Sequence, residues 1–322
     1  MTSLTANLAK TSSTTDSNGA FVRQQSQFRH WVTADGSASP TGSDGFEAEP
    51  GRYHLYVSLN CPWAHRALIF RALKKLEDVI SVSVVHPQRT DKGWAFRDYP
   101  DCSADPVLGA EYLAELYHHA DRAYNGRYTV PLLWDKQQQT IVSNESADII
   151  RMFNSAFNAY SEVETDYYPE ALQPGINTIN DLVYRKVNNG VYRAGFAKSQ
   201  PAYEEAYQQV FEGLDYLESR LSQQRYLLGG TLTEADWRLF PTLLRFDLVY
   251  YSLFKCNKRR LADYPHLSRY TRELYHHPGI AATVNVHHIK QGYWRPSERN
   301  PLGIVPVGPD IDYLVNPHHG SD

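Results

Sequence analysis

The chain has 322 residues, enough for one large domain or two ordinary ones, and 42% of them are apolar, enough for a real core. Net charge is −4 with lysine and arginine scattered along the chain, which argues against nucleic acid or an anionic membrane as a partner. Three widely spaced cysteines, Cys61, Cys102 and Cys256, make no disulfide framework, and a reducing, cytoplasmic compartment fits them.

The start, "MTSLTANLAKTSSTTDSNG", is rich in Ser and Thr, poor in Arg and lacks the apolar core of a secretory signal. It reads as a disordered tail within an extension over 1–50, with an organellar transit peptide as the alternative. Across 51–160, short β-branched or apolar runs, "YHLYVS", "VISVSVV", "VPLLW" and "TIVS", predict strands. Helical patterns at Trp63–Leu76 and Glu145–Phe153 fall between and after them, and the turn "DKQQQ" joins the last two strands. The order β-α-β, long insert, β-β-α predicts a small mixed sheet with helices, an α/β layer. "YSEVETDYYPEALQPG", Tyr160 to Gly175, is acidic with two prolines and predicts a linker, centred on 161–175. Nearly everything over 176–295 is helical, and an extended tail over 296–322 follows. "YEEAYQQVFEGLDYLESRL" puts Tyr203, Tyr207, Val210, Leu214, Leu217 and Leu221 on one stripe. Thr233 and Asp236 form a capping box, and Pro241 is expected to kink the helix they open.

Chemistry enters at "LYVSLNCPWAHRALIFRALKKL", Leu55 to Leu76. With Pro62 at the first helical position, Cys61 stands at or beside the N-cap, where free N–H groups and the helix dipole favour a thiolate. A cysteine packed as a small hydrophobe needs neither a proline after it nor an asparagine before it, so the reactive reading is preferred. Cys102 and Cys256 lack such a setting and read as ordinary residues. Ala64 occupies the place of the second cysteine of a Cys-x-x-Cys pair. The thiol must therefore form a mixed disulfide with something soluble, which a second thiol resolves. Glutathione is the obvious candidate. In "RYTVPLLWD", Pro131 heads a strand; in thioredoxin-like folds a proline there is cis, and the residue before it, here Val130, offers its backbone to an extended peptide. Glu145 and Ser146 open a helix, a setting suited to the carboxylate and ammonium of a γ-glutamyl group, although ordinary capping explains them equally when taken alone.

The combination "CPWAHR", "KGWAF", "GRYTVPLLWDKQQQTIVSNESADIIRMFN" and "NNGVYRAGFA" resembles the glutathionyl-hydroquinone reductases, the Xi class of the glutathione transferases, over nearly the whole chain after the tail. The resemblance implies a thioredoxin-like N-terminal domain, an all-helical C-terminal domain and a homodimer. It implies glutathione as co-substrate and removal of glutathione from an aromatic substrate, a glutathionyl-hydroquinone, with Cys61 as nucleophile. Glutathione contacts then fall on Trp94, Arg127, Val130, Glu145 and Ser146, and the ring contacts on Tyr192 and Tyr293. One stretch departs from the family pattern, which reads close to "HYYxSH": here it is "GYWRPSERNP", Gly292 to Pro301, with Tyr293 kept, Trp294 in place of the second tyrosine and both histidines gone.

Plainer readings stand beside these. Trp94 fits a core or an exposed loop as well as a ligand contact, Arg127 a surface ion pair, and Tyr192 is one of 23 tyrosines that must mostly pack. The pairs His118–His119, His276–His277, His287–His288 and His318–His319 have no cysteine or carboxylate cluster beside them, and no metal is expected. A general glutathione-dependent thiol transferase and a non-catalytic binding protein remain the alternatives.

Overall fold

The computed structural model describes residues 15–40 and 45–316. Most of the tail expected before Gly19, and the pair His318–His319, lie outside the described residues. The chain forms two compact units: Gln24–Thr165 make one, and the segment ending at Arg23 joins Asp166 onward in the other.

The first unit is built on a four-stranded sheet in the order β4-β3-β5-β6. Its elements are β3 (Tyr53–Val57), α1 (Pro62–Leu73), β4 (Ser81–Val84), α2 (Leu113–Ala120), β5 (Leu132–Asp135), β6 (Thr140–Ser143) and α3 (Ser146–Ser155); a short pair, β1 (Val32–Thr33) and β2 (Phe46–Glu47), precedes them. β3 runs parallel to β4, with Leu55 opposite Val82, and antiparallel to β5, with Leu55 opposite Leu133. Every residue of β3 is buried, as expected of a central strand covered on both faces. Helices α1 and α3 pack together, burying Ile69, Phe70, Ile149 and Phe153. The predicted β-α-β-insert-β-β-α order is thus present, with one addition. The insert contains α2, an eight-residue helix whose buried face is only Leu113, Ala114, Leu116 and Tyr117. So short a stripe gives little periodic signal.

Residues 24–40 and 45–50, expected to be part of an extension, pack into this unit. His30 N–H donates to the Val142 carbonyl at 3.0 Å and Asn144 N–H to the Phe28 carbonyl at 3.1 Å, so the segment lies along the open side of β6. That covers backbone groups an edge strand would otherwise expose. Arg29 adds an ion pair to Asp148 at 2.7 Å.

The second unit is helical: α4 (Gln173–Leu182), α5 (Gly190–Phe196), α6 (Gln200–Leu221), α7 (Glu234–Leu244), α8 (Pro265–Tyr275), α9 (Val286–Tyr293) and α10 (Asp312–Val315), with π-helical stretches at Val183–Asn188 and Phe246–Tyr250. α4 begins inside the stretch expected as linker, because Pro174 in a first turn gives up no needed hydrogen bond. On α6 the buried face is Ala202, Ala206, Val210, Leu214, Leu217 and Leu221; Tyr203 and Tyr207 flank it rather than fill it. The capping box at Thr233 and Asp236 is formed. α7 continues past Pro241 to Leu244, the Arg245 guanidinium donates to the Pro241 carbonyl at 2.9 Å, and the chain then opens into the π-helical turn. Among the described residues no helix is long and apolar enough to cross a membrane.

Candidate active site

Cys61 is the N-cap of α1, with an extended backbone and Pro62 in the first turn. It is half-buried, and its Sγ lies 3.5 Å from the Val130 carbonyl oxygen. The Val130–Pro131 bond is cis, as the sequence suggests. No described residue accepts a hydrogen bond from the Val130 N–H, so the edge of this turn offers a donor beside the thiol. Asn60, before the cysteine, donates to the Pro87 carbonyl at 2.9 Å and accepts from Ser58 at 2.8 Å, which fixes the strand-to-helix bend. The other two thiols have no such setting. Burial, with Asp101 and Asp98 adding to it, pushes Cys102 up to about 11, and burial pushes Cys256 up to about 12.

Glu145 caps α3 through its own carboxylate, which accepts from Ala147 N–H at 3.0 Å, from Ser146 Oγ at 3.4 Å and from Ser26 Oγ at 3.1 Å. The plain capping reading is therefore realised. It does not exhaust the carboxylate, which has about four lone-pair directions. Ser146 is buried, and the Arg66 guanidinium reaches its Oγ at 3.4 Å while stacking on Trp63 at 4.5 Å. Arg66 lies on α1, so it joins the helix that starts at the thiol to the helix that starts at Ser146. Behind both, Tyr117 OH donates to the Thr129 carbonyl at 2.9 Å, and Asn144 donates to Tyr117 OH at 3.1 Å and to Thr129 Oγ1 at 3.3 Å. This network ties the residue before Val130 to the residue before Glu145.

Trp94 is buried, with the Arg89 guanidinium 5.2 Å from its ring centre, in a turn where Thr90 and Gly93 pair. Arg127 is half-buried and its carbonyl accepts from Tyr124 OH at 2.9 Å. These six residues belong to the first unit.

Tyr192 and Tyr293 belong to the second unit and meet there. Their hydroxyls are 2.5 Å apart, although 101 residues separate them, and Tyr250 OH lies 3.2 Å from Tyr293 OH. Phe196 stacks beside Tyr192 at 6.0 Å, and Phe254 packs 5.6 Å from Tyr192 and 5.9 Å from Tyr293. Gly195 makes this possible, since a Cβ there would stand 2.2 Å from the Phe254 ring. Burial, reinforced by the neighbouring tyrosines, pushes the Tyr250 and Tyr293 phenols well above their usual range. The departure at Gly292–Pro301 therefore leaves Tyr293 in place, while Trp294 turns to donate to the Leu248 carbonyl at 3.1 Å.

Sequence reasoning missed Tyr250, Arg66, Ser26 and the Tyr117–Asn144 network. Tyr250 sits in "VYYSLF", where helical spacing cannot separate it from Tyr251, and the π-helical turn shifts the register further. A cation in the second turn of the helix that begins at the cysteine is the signal that could have found Arg66. Among the described residues no group of three His, Cys, Asp or Glu side chains is placed to hold a metal ion.

Residues 60–156 match the glutathione S-transferase N-terminal domain and residues 200–273 the C-terminal domain. Glutathionyl-hydroquinone reductase YqjG of Escherichia coli is 55% identical over 96% of this chain and 94% of its own length. Glutathionyl-hydroquinone reductase PcpF of Sphingobium chlorophenolicum is 51% identical over 92% of each chain. Among solved structures, the glutathione-bound form of YqjG superposes with a TM-score of 0.86 over 88% of this chain and 94% of that one, at 56% identity. The Xi glutathione S-transferase of Phanerochaete chrysosporium superposes with a TM-score of 0.87 over 92% of this chain and 95% of that one, at 48% identity.

Proposed function

The chain belongs to the glutathionyl-hydroquinone reductases, the Xi class of the glutathione transferases, and on that premise we propose that Cys61 carries its chemistry. Glutathione is the co-substrate, and a glutathionyl-hydroquinone is reduced to the hydroquinone with release of glutathione disulfide. In the first half-reaction the Cys61 thiolate attacks the glutathionyl sulfur. The electron pair of the sulfur–carbon bond passes to the ring carbon, which takes a proton, and the hydroquinone leaves. In the second, the thiolate of free glutathione attacks the Cys61 mixed disulfide; glutathione disulfide departs and the Cys61 thiolate returns.

The observation that carries this reading is the place of Cys61: N-cap of α1, 3.5 Å from the Val130 carbonyl, with Ala64 where an internal resolving cysteine would stand. Glutathione then supplies both the group removed and the thiol that resets the enzyme. Val130 offers its backbone to the peptide, Ser146 and Glu145 receive the γ-glutamyl end, and Trp94 and Arg127 complete the contacts. Tyr192 and Tyr293 hold the ring hydroxyl, and because burial keeps Tyr293 protonated it serves as a donor. A homodimer in the cytoplasm belongs to the same proposal.

Turnover of a glutathionyl-hydroquinone by single cysteine variants tests it. Cys61→Ser abolishes hydroquinone release, whereas Cys102→Ser and Cys256→Ser retain it nearly intact. Substantial turnover by Cys61→Ser overturns the assignment.

A further inference from the structure

Two arginines follow α9, Arg295 and Arg299, and Arg299 stands against the aromatic cluster of the second unit. The Arg299 guanidinium carbon is 3.9 Å from the centre of the Phe196 ring and 5.8 Å from that of Phe254. Those are the rings that flank Tyr192 and Tyr293. Arg295 follows Tyr293 by two residues, and its charge acts on Arg299. Both side chains are half-buried, and burial lowers both guanidinium pKa values, with mutual repulsion adding to the effect at Arg299. Neither guanidinium makes an ion pair or a hydrogen bond with any group among the described residues. Glu298 attracts Arg299, but its carboxylate is exposed and bonded to Lys198.

Other arginines of the chain are ion-paired. Arg29, Arg52, Arg185, Arg193, Arg225, Arg238 and Arg260 each sit on a carboxylate. The cluster also has a third guanidinium, Arg23, 4.8 Å from the Tyr192 ring centre, with its Nε bonded to Asn189 at 2.7 Å. Holding two like charges partly out of water, with only an exposed carboxylate acting on one of them, is costly, and a chain of net charge −4 has carboxylates to spare for pairing them. Arginine forks are matched to planar oxyanions. The stretch that supplies them, Gly292–Pro301, also holds Tyr293, one of the two ring tyrosines.

We propose that Arg295 and Arg299 recognise an anionic substituent on the aromatic ring, a carboxylate in the first place, so that the substrate class is the acidic glutathionyl-hydroquinones. The inference rests on the reading of Tyr192 and Tyr293 as the ring contacts.

Two measurements test it together. Calorimetry compares 2,5-dihydroxybenzoate with its methyl ester as ligands, which needs no turnover. Steady-state kinetics compares the glutathionyl conjugates of the same two rings. The acid should be preferred over the ester by about 10- to 100-fold in both assays, the range expected of charge-assisted hydrogen bonds. In Arg295→Gln/Arg299→Gln the ratio should fall to near one, and Arg299→Lys, which keeps charge but loses the fork, should recover part of it. Because each ratio is taken within one protein, a misfolded variant would lose both ligands and could not imitate the result; the single variants Arg295→Gln and Arg299→Gln then carry the comparison. An acid-to-ester ratio near one in the wild type, or an undiminished ratio in the double variant, overturns the proposal. So does a variant whose loss appears instead in the reduction of a small glutathione mixed disulfide, since the anion recognised would then belong to glutathione. Failure of the wild type to turn over either conjugate while binding the free acid selectively would count against the hydroquinone reading and leave the anion site standing.

Discussion

At the scale of single residues, the account turns on what distinguishes three thiols and three phenols. Cys61 is half-buried at a helix start, where the dipole and free N–H groups favour the thiolate. Cys102 and Cys256 are held as thiols by burial, at about 11 and about 12. Iodoacetamide at neutral pH should therefore add one carbamidomethyl group, mapped by peptide mass to Cys61. Equal labelling of Cys102 would contradict the activation argument. The phenols behave in the opposite sense. Burial raises Tyr250 and Tyr293 above the ordinary phenol range, so their neutral form persists to higher pH than that of a free tyrosine. The rate should rise with pH as the thiol ionises and show no descending limb from these tyrosines up to about pH 9. Tyr192→Phe and Tyr293→Phe should slow hydroquinone release by about 10²- to 10⁴-fold, and far more than they slow reduction of a small glutathione mixed disulfide. Equal losses on both substrates would assign the hydroxyls a structural role. The thiol was legible in the sequence because cap, proline and missing partner cysteine are all local. Tyr250 was not, since nothing local separates it from its neighbour.

At the scale of elements, helix starts do most of the positioning. α1 begins at the thiol and α3 at Ser146, and Arg66 ties the two beginnings together. Both helices were readable because their N-terminal signals, Cys-Pro and Asn-Glu-Ser, immediately follow strands. α7 was readable from its capping box, Thr233 with Asp236. Its Asp236 accepts from the backbone N–H groups of Thr233 and Leu227, from the Thr233 hydroxyl and from Tyr270 OH, all buried. Asp236→Ala leaves these donors without an acceptor and should cost about 3 kcal/mol of stability. A clear fall in the urea midpoint checks this, and a midpoint within error of the wild type would contradict it. Less legible were α2, too short to show a period, and the π-helical turn after α7, where the spacing of apolar residues departs from 3.6.

At the scale of the whole molecule, the order of strands and helices was legible because hydrophobic period and turn chemistry are written locally. The route of the N-terminal segment was not. Residues 15–23 pack with the helical unit, where the Lys198 N–H donates to the Gly19 carbonyl at 2.8 Å, whereas Phe28 to His30 lie along β6 of the other unit. No short window of sequence encodes a choice between surfaces built from residues far along the chain. The proposed roles divide along the same lines. Cys61, Val130, Glu145 and Ser146 come from the first unit, and Tyr192, Tyr293, Arg295 and Arg299 from the second. The central claim is that a single thiol accepts the glutathionyl group before glutathione removes it. The most direct test is rapid-quench intact-protein mass spectrometry of the enzyme mixed with a glutathionyl-hydroquinone in the absence of free glutathione. One glutathionyl group should appear on Cys61, formed together with one equivalent of hydroquinone and removed by added glutathione. Hydroquinone released with no adduct on Cys61, at a rate that Cys61→Ser shares, would contradict it.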